Sequence, residues 1–287
     1  MCNTQCGWPY VFAFAPVHNS LCLQQKETNV PTASHSVLLS VVTPTLNAEK
    51  TVRDTLASVA ARKGQVEHIV VDGGSTDHTL TMVREFPHVS VIHQQGRGIS
   101  AAMNQGIAKA RGKFISILNA DDYFNDDFDF VFAHLAADGG DDRIYFGDII
   151  ELSANNQERQ HRSATMAHMQ KYMSIYHPSM IVPKQLYSRL GGYKEAYRFA
   201  MDCEFVHRCM KNNIEFEHIP LSICTMRLGG TSHINTGSAM KEFERSVVAA
   251  ELASPLNARL FRIRQTCFHT LLKQPMFRML WRKVTKG

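Results

Sequence analysis

From Val37 the chain alternates short apolar runs with segments whose apolar residues recur at helical spacing. Val37–Thr43 reads as a β-branched strand stopped by Pro44-Thr45, and Asn47 is placed to cap a helix carrying Val52, Leu56, Val59 and Ala60 on one face. Val66–Val71 is a second strand that empties into Asp72-Gly73-Gly74-Ser75-Thr76-Asp77, where Ser75-Thr76 can cap a helix with Leu80, Val83 and Phe86 inward. Val89–Ile92 is a third strand. Arg97-Gly98 opens a third helix with Ile99, Ala102, Met103, Gly106 and Ile107, and Ile115-Ser116-Ile117-Leu118 is a fourth strand ending in Asn119-Ala120-Asp121-Asp122. Strands alternating with helices over short loops predict right-handed βαβ units and a parallel sheet covered on both sides.

That prediction gives the acidic residues a place. Asp72 and Asp121 each end a strand, and parallel strand ends open on one edge, where loops diverge and leave a crevice. A nucleotide fits this frame, with Asp72 accepting hydrogen bonds from the base and Pro44-Thr45 flanking it. Adjacent Asp121 and Asp122 repel, and Mg²⁺ or Mn²⁺, which favour hard oxygens and share them with phosphates, would relieve that. The plainer alternative makes Asp121-Asp122 a solvated turn and Asp72 an ordinary turn residue before two glycines.

Four segments carry a resemblance: Ser40–Asn47 (SVVTPTLN), Ile69–Asp77 (IVVDGGSTD), Gly98–Gly106 (GISAAMNQG) and Asn119–Asp122 (NADD). In this order and spacing they resemble family 2 glycosyltransferases of the GT-A fold, an α/β nucleotide-binding architecture with a mostly parallel sheet, over residues 37 to about 235. The resemblance implies a nucleotide-diphosphate sugar donor, a divalent metal held by a D-x-D-like turn, and transfer with inversion. It places donor contacts at Pro44, Thr45, Asp72, Gly98, Asn104, Asn119, Ala120 and Asp121. Asn119 takes the first position of the acidic turn, leaving Asp121 as metal ligand with Asp122 in support. Gly73 stands where a second Asp is common, so Asp72 reads the base alone.

Further along, Gly139–Asp142 is a second acidic turn and Ile144–Ile150 a strand. Tyr176–Val182 and Leu190–Tyr193 then lead into Phe199–Phe205, which opens a helix with Asp202 in its first turn. Asp202 and Glu204 cannot share a helix face, so one can point into the crevice while the other braces a loop. The resemblance puts the catalytic base at Asp202; the alternative is an acidic residue satisfying a helix N-terminus. His177 is a candidate for diphosphate or acceptor contact, set against a structural role for one of fourteen histidines. Arg227-Leu228-Gly229-Gly230-Thr231-Ser232-His233 combines a cation, glycines and hydroxyls in a way suited to phosphate oxygens, and His233 could instead ligate the metal. Arg97 is a candidate donor contact only.

Composition adds one asymmetry. The formal net charge is +5, yet no acidic residue follows Glu251, while Arg259, Arg262, Arg264, Lys273, Arg278, Arg282, Lys283 and Lys286 do. Residues 238–287 read as two helical stretches, the first ending near Pro255, the second basic and amphipathic. Such a tail suits an anionic membrane surface; the alternative is a tail packed on the catalytic domain with a solvated basic face. Residues 1–36 lack a clear period and read as a weakly ordered leader, leaving 37–237 as the catalytic domain. The seven scattered cysteines have no C-x-x-C pair and read as reduced thiols, and no apolar run reaches the length needed to span a bilayer. These features predict a cytoplasmic enzyme, peripheral at the inner face of a membrane, acting on a glycan or lipid-linked acceptor.

Two rivals are weighed. A sugar-phosphate nucleotidyltransferase would carry a glycine- and lysine-rich loop after the first strand, which Pro44–Ala48 does not resemble. A non-catalytic nucleotide-sugar-binding member would keep the fold and dock on an assembly. No G-x-G-x-x-G or Walker sequence is present, and no nucleic-acid motif accompanies the basic tail.

Overall fold

A computed structural model describes residues 37–62, 65–138, 140–153, 159–229 and 235–273. The first four strands, β1 (Leu39–Thr45), β2 (Val66–Asp72), β3 (Val89–His93) and β4 (Phe114–Ile117), are parallel and lie in the order β3-β2-β1-β4. Their crossovers are α1 (Val52–Ala60), α2 (Thr79–Arg84) and α3 (Ile99–Lys109). Beyond β4 the sheet becomes mixed. β5 (Tyr123–Phe124) follows the acidic turn, and after α4 (Phe128–Asp138) come β6 (Arg143–Leu152), β7 (Arg159–Arg162) and β8 (Met180–Pro183). Helices α5 (Lys184–Leu190) and α6 (Met201–Lys211) precede the long β9 (Glu215–Arg227). β8 runs antiparallel to both β4 and β6, β9 runs parallel to β6, and β5 pairs antiparallel with the end of β9.

Period-two alternation sorts the core onto two faces. Val42, Ile115 and Ile117 pack with Met103 and Ile107 of α3 and Phe205 of α6, whereas Leu39, Val41 and Phe114 pack with Val59 of α1 and Phe128, Val131 and Leu135 of α4. Helix α3 lies so close to β1 that a Cβ on Gly106 would stand 2.2 Å from Val42 Cγ1.

Several local expectations are corrected. β1 continues through Pro44 to Thr45 instead of stopping at Thr43. Leu118 N–H donates to Val42 O, so Pro44, two residues on, turns its edge to the same side, where β4 has already ended and no donor is needed. Asn47 does not cap α1: its φ is 51° and its Oδ1 accepts from Thr76 N–H, tying the loops after β1 and β2 together. Ser75 and Thr76 do not cap α2 either; Asp77 Oδ1 accepts from Thr79 N–H at the start of that helix. Ala60 faces outward, and Thr55 takes the fourth buried place on α1. The first helix of the C-terminal stretch, α7 (Thr236–Ala249), ends short of Pro255, with Glu251 at φ 61°, and α8 (Pro255–Lys273) starts there.

Candidate active site

The acidic turn is anchored from below. Thr55 Oγ1 donates to Asp122 O at 2.7 Å, and Asp122 Oδ1 accepts from Arg227 N–H at 3.0 Å, because β5 holds the end of β9 beside the turn. Asp122 is 1 % exposed, and its Oδ2 is buried without a hydrogen-bond partner. Burial opposes its ionised form and the Asp121 carboxylate repels it, so its pKa is pushed up to about 7. Asp121 is half-buried and its pKa is also raised, chiefly by burial. Burial thus opposes ionisation of both carboxylates, while the charges of His177 and Arg227 favour it. Among the described residues, no group of three or more His, Cys, Asp or Glu could hold a metal ion by itself. The turn therefore offers hard oxygens but an incomplete shell.

His177 opens a 3-10 turn, His177–Ser179, that leads into β8 next to β4. Its Nδ1 lies 3.4 Å from Asp202 Oδ2 and its Nε2 lies 2.9 Å from Asn119 Nδ2. Burial disfavours the imidazolium, but Asp202, Asp122 and Asp121 outweigh it and raise the pKa of His177. Asn119 Oδ1 is buried without a partner. Half a turn of the amide would let that oxygen accept from a doubly protonated ring, which agrees with the raised pKa. Asp202 shows the reciprocal effect. Burial favours its neutral form, yet the His177 bond and charge and the Cys203 N–H, 2.8 Å from Oδ1, hold its pKa below the usual value.

Glu204 turns away, as the helix spacing requires. It is buried between Lys194 at 2.7 Å and Arg208 at 2.8 Å, and Arg208 also binds the carbonyls of Leu190, Gly191 and Gly192. It braces the loop before α6. Asn104 supports the same loop from α3: its Oδ1 accepts from Tyr193 N–H and its Nδ2 donates to Tyr193 O, both at 2.8 Å. Gly192 permits this approach, since a Cβ there would be 2.3 Å from Asn104 Oδ1.

On the other side, Thr45 and Asp72 are register partners at the ends of β1 and β2. Asp72 accepts from the N–H groups of Gly74 and Ser75 and from the Ser75 hydroxyl, the last at 2.6 Å, so its carboxylate shapes the Gly-Gly turn. Pro44 and Thr45 are buried, and Thr45 Oγ1 has no partner. Ala120 packs among Val52, Leu56, Val70 and Val83. Gly98, at φ 93°, precedes α3, and its carbonyl accepts from Gln94 Nε2. Arg97 is exposed. The Arg227 guanidinium is engaged by Asp54 at 2.5 Å and by Asp121 O at 2.6 Å and stacks over Tyr123, so it braces the turn. His233 lies outside the described residues.

Asn119, Asp121, Asp122, His177, Asp202 and Arg227 therefore meet around one turn, with Asp72, Pro44 and Thr45 along the same strand edge. Sequence reasoning missed Thr55 and Asp54, whose contacts lie across the fold, and missed that His177 pairs with Asp202.

Residues 40–201 match the family model "Glycosyl transferase family 2". A PGL/p-HBAD biosynthesis glycosyltransferase of Mycobacterium tuberculosis is 32% identical over 183 residues, 61% of this chain and 70% of that protein. The putative glycosyltransferase EpsH of Bacillus subtilis is 32% identical over 95 residues, 31% of this chain and 28% of its own. Among solved structures, S. aureus TarS 1-349 in complex with UDP superposes with a TM-score of 0.59 at 18% identity, covering 78% of this chain and 69% of that one. The mannosyltransferase PcManGT from Pyrobaculum calidifontis, in complex with GDP-Man and Mn²⁺, gives 0.56 at 13% identity, covering 86% and 84%. The structural likeness establishes the fold and the sequence match the family: this chain belongs to glycosyl transferase family 2 and is a glycosyltransferase of the GT-A fold.

Proposed function

We propose that the enzyme transfers a sugar, with inversion and metal assistance, from a nucleotide-diphosphate donor to a hydroxyl of a glycan or lipid-linked acceptor, with Asp202 as general base. One observation supports this reading: a single imidazole, His177, touches both Asp202 and Asn119 of the acidic turn, so the proposed base stands beside the turn.

The chemistry follows from the charges. An acceptor hydroxyl has a pKa far above 7, so a carboxylate must take its proton as the bond to the anomeric carbon forms. Asp202 is kept ionised by His177, which also fixes the direction of Oδ2. Asp121 would ligate Mn²⁺ or Mg²⁺ with the donor's phosphates completing the shell, and Asp122 would add charge beneath it. When bound, the cation neutralises charge on the departing diphosphate. Asp72 keeps the Gly73-Gly74 turn open for the base, with Pro44 and Thr45 as the adjoining wall and Gly98 near the donor. TarS and PcManGT, solved with UDP and GDP-Man, support a nucleotide-sugar donor. We place the enzyme at the cytoplasmic face of a membrane.

The anomeric configuration of the glycoside product, read by NMR from its one-bond C1–H1 coupling, tests the stereochemistry. A product of opposite configuration to the donor is expected; retention would overturn single displacement.

A further inference from the structure

Among its described side chains, helix α8 packs on α7 through one face. Arg262 is bonded to Glu244, Thr266 Oγ1 lies 4.0 Å from Met240 Sδ, and Ala258 is buried; these three positions repeat every four residues. On the far side Leu256, Leu260, Ile263 and Leu271 are 67, 56, 43 and 46 % exposed, with exposed Cys267 among them. Steps of four, three, four and four residues make these five one continuous stripe, roughly opposite the packed face at about 100° per residue. Arg259 and Arg264 are exposed on its two edges, and neither has an acidic partner among the described residues.

The stripe needs a cover, and its edges say of what kind. No Asp or Glu follows Glu251, and the nearby acids are already used. Glu244 holds Arg262, Glu251 holds Lys211, and Glu242 accepts the N–H groups of Arg198, Phe199 and Ala200. A second copy of the stripe would set rows of arginines against each other. An anionic bilayer offers acyl chains to the leucines and phosphates to the arginines at their edges, where long side chains snorkel outward. No described helix is long and apolar enough to cross a membrane, so the fitting geometry is a helix lying in the plane of the surface.

We infer that α8 is a membrane-docking helix, inserting Leu256, Leu260, Ile263 and Leu271 into the interface of an anionic leaflet while Arg259 and Arg264 bind lipid phosphates. The inference rests on the proposed function only in giving the docking a purpose, delivery of the pocket to a lipid-linked acceptor. Its test contains no donor, so its failure and a failure of the transfer reading are read separately.

The full chain is sedimented with vesicles of phosphatidylcholine alone or mixed with phosphatidylglycerol. Binding to the mixed vesicles, and weaker binding to the neutral ones, is expected. Leu260→Ser with Ile263→Ser should lower the partition coefficient on anionic vesicles at least roughly tenfold by removing apolar insertion. Arg259→Gln with Arg264→Gln should do so by a similar factor through charge, with little effect on neutral vesicles. All four side chains are exposed, so circular dichroism should be unchanged. Absence of vesicle binding, equal binding to neutral vesicles, or wild-type binding by both double variants would overturn the inference. So would a dimer in light scattering that Leu260→Ser with Ile263→Ser dissociates.

Discussion

His177 Nδ1 faces Asp202 Oδ2 at 3.4 Å, although the two residues belong to separate elements, a 3-10 turn before β8 and the first turn of α6. Each holds the other charged against its own burial, which raises the pKa of the imidazole and lowers that of the carboxylate. The pair is partly buried, so it is screened less than a surface ion pair. In the proposed role of Asp202 as base, such a partner secures its ionised form before the acceptor arrives while lowering its proton affinity. Because the other ring nitrogen meets Asn119, moving His177 would disturb both Asp202 and the acidic turn.

The pair makes stability depend on pH in a stated direction. His177 has a raised folded pKa, so its contribution is complete below the unfolded value near 6.5 and is lost as pH rises through the folded one. Asp202 has a lowered pKa, so its share is lost only at acid pH. His177→Gln should therefore melt lower than wild type at pH 6, with the gap narrowing by pH 9. A gap of constant size in a thermal melt series would mean that the ring's charge is not involved.

Asp122 carries the opposite sign for a carboxylate. Its pKa is raised to about 7, so its own contribution to stability is most favourable at acid pH and falls as pH climbs from the unfolded value toward neutrality. Asp122→Asn keeps an oxygen for the Arg227 N–H and removes the buried charge. The variant should be more stable than wild type at pH 8, with the advantage shrinking as pH falls below 7 and vanishing near pH 4, as measured by denaturant midpoint. Lower stability at pH 8 would show that the charge is already balanced.

Mn²⁺ together with a nucleoside diphosphate should raise the melting temperature of the wild type, because a ligand of the folded form alone stabilises by mass action, about 2.7 kcal/mol at a hundredfold excess over Kd. Asp121→Ala should abolish the part that depends on Mn²⁺, and EDTA should have the same effect on the wild type. An undiminished Mn²⁺ shift in Asp121→Ala would move the metal elsewhere.

Much of this was legible in the apolar runs. The four parallel strands, the helices between them and the acidic strand ends follow from period and turn chemistry, because each is a local property of the chain. Pro44 inside β1 was not legible, since only the shortness of β4 on the neighbouring side makes its missing N–H harmless. Asn104 carried a donor-binding expectation, but whether its amide meets a ligand or Tyr193 depends on a loop nearly ninety residues away. The His177–Asp202 pair and the Arg227–Asp54 tie are likewise products of β8 and β9 folding back along the sheet, which no spacing rule encodes.

Packing between α3 and β1 gives a prediction independent of chemistry. A Cβ at Gly106 would meet the Val42 side chain at 2.2 Å, closer than any relaxed contact. Gly106→Ala should cost about 1–3 kcal/mol through overpacking, despite the better helix propensity of alanine. That corresponds to a fall in Tm of roughly 2–4 °C per kcal/mol for a chain of this size. An unchanged Tm would mean the two elements are further apart.

The central claim, that Asp202 takes the acceptor's proton in a pocket shared with the acidic turn, is tested most directly by Asp202→Asn, with transfer and donor binding measured on the same preparation. Transfer should fall by roughly 10²- to 10⁴-fold while the thermal shift produced by nucleotide and Mn²⁺ stays at the wild-type value. Wild-type transfer by this variant would contradict the account.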